Sequence, residues 1–241
     1  MSATFFDKEI LRLREALAQM GGAVERMLDA ALTALHSGDL ALAEKTIEMD
    51  RAINDYDNRL TNKTILLIAT NQPVASDLRF LAAGLKIIGE LERIGDLSAN
   101  VARRVRGAAS AEIREEPPVE LGDLAVMARA MLSDALGAFT GRNIEQARDI
   151  LERDAQLDDL NRRIRQEIVA RIALNGPLVH WGLEVISLAA NLERLGDHVT
   201  NLAEEVIYIH SGRNVRHCGP PSSLHLTLAE IKRPDREDQE D

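Results

Sequence analysis

The sequence predicts an all-α protein built as two tandem three-helix bundles related by an internal repeat. Three observations carry this. Apolar residues recur at spacings of three and four along nearly the whole chain, the period of helices with one buried face. Ala, Leu, Ile, Glu and Arg dominate while aromatic residues make up only 3%, a balance that suits packed helices better than a β-sandwich. The stretch Glu92-Arg93-Ile94-Gly95-Asp96-Leu97-Ser98-Ala99-Asn100 returns 101 residues later as Glu193-Arg194-Leu195-Gly196-Asp197-His198-Val199-Thr200-Asn201.

The first helix runs from Phe5 through Ile10, Leu13, Leu17, Met20, Val24, Met27, Leu28, Ala31 and Leu35. Gly38 closes it, and Asp39 is placed to cap the next. The second extends from about Leu40 to Thr70, where Asn71-Gln72-Pro73 breaks it. Ser76-Asp77 predicts the cap of a third helix that carries Leu81, Leu85, Ile88, Ile94 and Val101 to about Val105. Small, polar and charged residues between Gly107 and Pro118 read as a linker. The plan then repeats: Leu121 to Thr140, ended at Gly141; about Ile144 to Leu174, stopped by Asn175-Gly176-Pro177; and about Val179 to Ser211, closed by Gly212. The expected organisation is therefore a first bundle over 1–112, a linker at 113–118, a second bundle over 119–212 and a mostly disordered acidic tail over 213–241. The tail has room for one short helix around Leu224–Ile231.

The repeat holds in register. At an offset of 104, Met27-Leu28, Glu48, Asp50, Asp55, Asn71 and Pro73 fall on Met131-Leu132, Glu152, Asp154, Asp159, Asn175 and Pro177. A three-residue deletion after the turn changes the offset to 101, which aligns the two nine-residue copies. Two copies mean paired bundles rather than a solenoid.

The bulk properties set limits on function. The net charge of −10 argues against a nucleic-acid surface, which needs a basic face. Cys218 is the single cysteine, so there is no internal disulfide framework. The N-terminus lacks a basic segment followed by an apolar run, and the longest purely apolar run, Ile65 to Ala69, is far too short to span a bilayer. A cytoplasmic protein is expected, with peripheral docking on a membrane complex left open.

The chemistry lies in the acids. Glu92/Asp96 and Glu193/Asp197 sit four apart, so each pair projects from one helix face, where like charges repel. The preceding helix of each repeat carries Asp50/Asn54 and Asp154/Asp158 at the same spacing. In an antiparallel hairpin, residues equally far from the turn meet. Asp50 and Asp96 are equidistant from Pro73, as are Asn54 and Glu92; Asp154 and Asp197, like Asp158 and Glu193, are equidistant from the Asn175–Gly176 bond. One hairpin then pools three carboxylates and an amide, the other four carboxylates. Two readings stand side by side. A hard cation such as Mg²⁺, Ca²⁺, Mn²⁺ or iron fits an oxygen-only set; alternatively Arg93 and Arg194 join a salt-bridge network and the acids are a solvated face. A glycine within each copy, Gly95 and Gly196, costs about 1 kcal/mol against alanine, and points either to space beside the acids or to close helix packing. The Glu-x-x-His of oxygen-activating bundles is missing, since Gly95 and Gly196 stand where histidine would, and His198 lies off the acidic face.

Other residues read as structural. Glu25/Asp29 is an ordinary surface pair, and His36, His180 and His210 are surface or satisfied core histidines. Trp181 is a packing anchor, and Arg103, Arg104 and Arg106 suit a helix C-terminus. His217-Cys218 has no second cysteine for a structural zinc site. Neither a glycine-rich phosphate loop nor a Ser/His/Asp set is present.

From about Leu11 to His217 the chain resembles the PhoU family of phosphate-signalling proteins. The resemblance rests on Gly21-Gly22, Asp50-Arg51 with Asn54, Ala75-Ser76-Asp77-Leu78-Arg79, Glu90 to Asp96, Glu193 to Asp197, and Gly212-Arg213-Asn214-Val215-Arg216-His217. It implies paired three-helix bundles whose acidic pairs hold multinuclear metal clusters, iron foremost, with Mg, Mn, Ca and Zn open. Carried over residue by residue, the ligands it implies are Asp50, Glu92 and Asp96, then Asp154, Asp158, Glu193 and Asp197. Asn54 stands where a second acid is expected, so the first set departs from the family pattern and is expected to be weaker or different. The implied role is non-enzymatic: a dimeric adaptor between a phosphate ABC transporter and a phosphate-sensing histidine kinase, holding uptake and the starvation response down when phosphate is plentiful. A carboxylate-bundle metalloenzyme and a metal-free protein-binding adaptor are the alternatives.

Overall fold

Side-chain caps set two of the helix starts. The computed structural model describes residues 5–215, and these form α1 (Phe5–Ser37), α2 (Leu40–Asn71), α3 (Ala75–Ala109), α4 (Val119–Gly141), α5 (Ile144–Leu174) and α6 (Val179–Ser211), with a 3₁₀ turn at Gly176–Leu178. Asp39 Oδ1 accepts from the Leu42 amide at 3.0 Å, and its repeat counterpart Asn143 accepts from the Gln146 amide at 3.2 Å. These caps satisfy otherwise orphaned amides at the starts of α2 and α5. The start of α3 differs from expectation. Val74 occupies the cap position without a side-chain bond, and Asp77 falls in the first turn, where its charge meets the positive end of the helix dipole. Helix α3 also outlasts its predicted end near Val105 by one turn, and Ser110 returns its amide to the Gly107 carbonyl at 3.1 Å.

The two bundles share one core. The expected three-helix units are present, but α3 and α6 make the most extensive helix pairing in the molecule, and α1 packs on α4. Buried side chains from all six helices form a single hydrophobic cluster. Polar pairs show how α3 and α6 run. Lys86 Nζ lies 2.9 Å from Glu205 Oε1, Asn201 Nδ2 is 3.3 Å from Glu90 Oε2, and Arg104 Nη1 is 3.3 Å from Glu184 Oε2. Residue numbers rise on one helix as they fall on the other, so the pair is antiparallel and residues 92–96 lie level with 195–199. Helices α1 and α4 also run antiparallel: Asp29 takes a forked pair of bonds from Arg129, and Arg14 reaches the Phe139 ring. An approximate two-fold therefore relates the repeats, with both acidic motifs near the axis. The arginines read as serving the helix dipole instead tie elements together, Arg104 to α6 and Arg106 to Glu44 on α2.

Gly212 ends α6 in the left-handed region, φ 71°, with its amide on the Tyr208 carbonyl. The stretch read as a tail from 213 carries a packed residue at its third position, since Val215 is buried in the core. The remainder of that stretch, with His217-Cys218 and the helix expected near Leu224–Ile231, lies outside the described residues. Among the described residues no helix is long and apolar enough to cross a membrane.

Candidate metal centre

The hairpin symmetry read from the sequence brings all seven predicted acids into two clusters. In the second repeat, Asp154 and Asp158 on α5 face Glu193 and Asp197 on α6. Partial burial, then Glu193, Asp154 and Asp158, push the Asp197 carboxyl up to about 6. Asp154 and Glu193 are also raised, each first by burial and then by Asp158. Thr200 Oγ1 donates to Asp154 Oδ1 at 3.2 Å, and Arg194 and Arg165 partly offset the charge of Glu193. Asp158 and Asp197 are exposed, so the cluster opens outward to solvent.

In the first repeat, Asp50 meets Asp96 as the distances from Pro73 require. Burial and then Asp96 raise Asp50, against the opposing pull of Arg103 and of Asn54, whose Nδ2 donates to Asp50 Oδ2 at 3.3 Å. Asp50 Oδ1 is buried and has no hydrogen-bond partner. Burial and then Asp96 raise Glu92 as well, and Asp57 adds to that push. The basic compensation weighed above is present but loose: Arg93 Nε lies 3.6 Å from Glu92 Oε2 and Arg93 Nη1 3.9 Å from Asp96 Oδ2.

Four contributors escaped the sequence reading. Asp57 lies seven residues after Asp50 and so shares its helix face, a spacing outside the i, i+4 pairs. Thr200, Arg103 and Arg165 each act on an acid of the facing helix. The glycines are settled as a packing device: a Cβ on Gly95 would stand 3.0 Å from Ile53 Cγ2, and one on Gly196 2.9 Å from Leu157 Cδ2. They let α2 approach α3 and α5 approach α6, which carries the acids together. His198 turns away from the cluster and pairs with Glu90 across the α3–α6 seam at 2.7 Å.

The donor chemistry fits a hard cation. The oxygens are carboxylates held partly out of water, several are raised by their neighbours, and one buried oxygen lacks a partner. The side chains do not yet form a cage: among the described residues no three His, Cys, Asp or Glu groups gather closely enough around one point to hold an ion as they stand. Ligation would require the outer members to swing inward.

Fold and site together define a class: a duplicated three-helix bundle with a carboxylate cluster on each α2–α3-type hairpin. A family model of the PhoU domain matches residues 17–105 and again 121–206, one match per repeat. The chain belongs to the PhoU domain family. It is 33% identical to a phosphate-specific transport system accessory protein PhoU homolog of Rhizobium meliloti, over 94% of this chain and 95% of that one. It is 32% identical to the phosphate-specific transport system accessory protein PhoU of Escherichia coli, covering 89% of this chain and 88% of the other. Among solved structures it is similar to PhoU from Pseudomonas aeruginosa, with a TM-score of 0.84 and 31% identity, over 86% of this chain and 100% of that chain.

Proposed function

We propose that this chain is an accessory regulator of phosphate transport. It acts in the cytoplasm as a homodimeric adaptor between a phosphate ABC transporter and a phosphate-sensing histidine kinase, and it holds down uptake and the starvation response when phosphate is plentiful. The accessory role named for its relatives supports the transport assignment. The observation that carries the metal part is the pair of carboxylate clusters borne at one level of the α3–α6 seam. Asp154, Asp158, Glu193 and Asp197 would hold one group of ions, and Asp50, Glu92 and Asp96 a second, with iron the leading candidate. A bound cation would neutralise the crowded acids and tie α2 to α3 and α5 to α6. Substrate chemistry has no place in this reading.

The test is elemental analysis of protein purified without chelators or affinity-tag metals. Glu193→Gln with Asp197→Asn is expected to abolish metal in the second cluster while helix content by circular dichroism stays near wild type. Unchanged metal stoichiometry overturns the assignment. A metal-free adaptor is the second reading, favoured by the position of Arg93 beside Glu92 and Asp96; a metal-free wild-type protein would establish it. In cells, deletion of the gene should leave alkaline phosphatase high in phosphate-rich medium, and normal repression there counts against the regulatory role.

A further inference from the structure

One end of the molecule gathers basic side chains that the acidic clusters do not use. There the early turns of α1 and α3 meet the last turns of α4 and α6. The Arg14 guanidinium lies over the Phe80 ring, 4.3 Å from its centroid, with the Phe139 centroid at 6.0 Å. Its Nη1 is buried and has no hydrogen-bond partner. Arg142 caps α4 close enough to act on both Arg14 and His210 of α6. Burial, then Arg142, hold Arg14 below the ordinary arginine range; burial, then Arg14 and Arg142, hold His210 low. Cation–π stacking satisfies the face of the guanidinium, but its in-plane N–H groups still need acceptors. A buried N–H facing no acceptor beside a second guanidinium and an imidazole is a costly arrangement that an anion relieves.

The internal repeat shows that the fold does not require this charge. The counterpart of Arg142, at an offset of 104, is Gly38, and both adopt left-handed backbone, φ 55° and 67°. Glycine is the usual occupant of that cap, and an arginine there is held against a backbone cost. The counterpart of Arg14 is Pro118, and those of His210 and Phe80, at an offset of 101, are Ala109 and Trp181. The equivalent end of the molecule is thus assembled without any of these three basic side chains, in a chain whose net charge is −10.

We propose that Arg14, Arg142 and His210 form a binding site for a small tetrahedral oxyanion, inorganic phosphate in the first place. Planar guanidinium forks match its oxygens. The unpartnered N–H lies below the surface while Arg142 is exposed, so the proposed occupant is a free ion rather than a phosphorylated peptide. The site would make the chain itself responsive to phosphate, whether or not the acidic clusters hold metal.

The test measures radiolabelled phosphate uptake by equilibrium dialysis on the full chain, stripped of metal by chelator so that the acidic clusters cannot bridge to phosphate. Expected are one phosphate per chain, competition by sulfate but not by chloride at equal ionic strength, and a rise in the NMR titration midpoint of His210 when phosphate is present. Arg142→Gly, which installs the residue its counterpart already carries and so keeps the fold, should weaken binding by about tenfold or more; Arg14→Gln should do the same. Absence of saturable uptake up to roughly 10 mM phosphate, affinity unchanged in Arg142→Gly, or equal competition by chloride would each overturn the proposal.

Discussion

Asp197 shows what burial and then crowding do to a single side chain. Its folded value of about 6 lies above the value near 3.9 of an unfolded aspartate, so the folded state keeps a proton that the unfolded chain has already released. The stability tied to this group is present in full below about pH 4 and is lost as pH rises through 6. Metal-stripped protein should therefore lose thermal stability over that window. Asp197→Asn should remove the loss, melting above wild type at pH 7.5 and converging with it toward pH 4. Circular dichroism melts across pH check this; a variant that melts lower at pH 7.5 would mean that the acids are favourably paired without metal. The seven clustered acids were legible in the sequence because i, i+4 spacing and distance from a turn are properties of the chain alone. Arg14 and His210 were not, because each is surrounded by residues of other helices.

At the scale of the element, the capping residues and glycines do most of the positioning. Asp39→Ala and Asn143→Ala each remove an acceptor from a helix start and are expected to cost about 1 kcal/mol, measured by urea denaturation. Gly196→Val should cost more, about 2 kcal/mol, because the added atoms meet Leu157 and push α5 from α6. It should also weaken metal retention by the second cluster, since the same approach brings Asp154 to Asp197. A variant as stable and as metal-loaded as wild type would show that the close approach is incidental. Helix existence was readable throughout from the three-four apolar rhythm. The start of α3 was misplaced because Ser76-Asp77 looks like a cap locally, whereas the incoming chain sets Val74 there.

For the whole molecule, the common core has a direct consequence for unfolding. Although the sequence repeats, neither half buries its own α1- or α3-type face without the other, given the α3–α6 and α1–α4 contacts. A single cooperative calorimetric transition is expected, with van't Hoff and calorimetric enthalpies in agreement, and the fragment 119–215 should not fold independently. Two separable transitions would mean that the bundles are autonomous. Three polar pairs along the α3–α6 seam, Lys86–Glu205, Glu90–His198 and Arg104–Glu184, mark the register of that joint.

The sequence by itself determined the helical class, the six helices, the duplication and the meeting of acids across each hairpin, because all of these follow from spacing along one chain or reflection about one turn. Only the tertiary structure decided that the two bundles fuse into one core, that the motif glycines serve helix approach, that Asp57 joins the first cluster, and that Arg14, Arg142 and His210 converge. Those facts depend on which faces of distant helices are pressed together. That choice is made by the burial of apolar surface summed over the whole fold, and no local pattern encodes it.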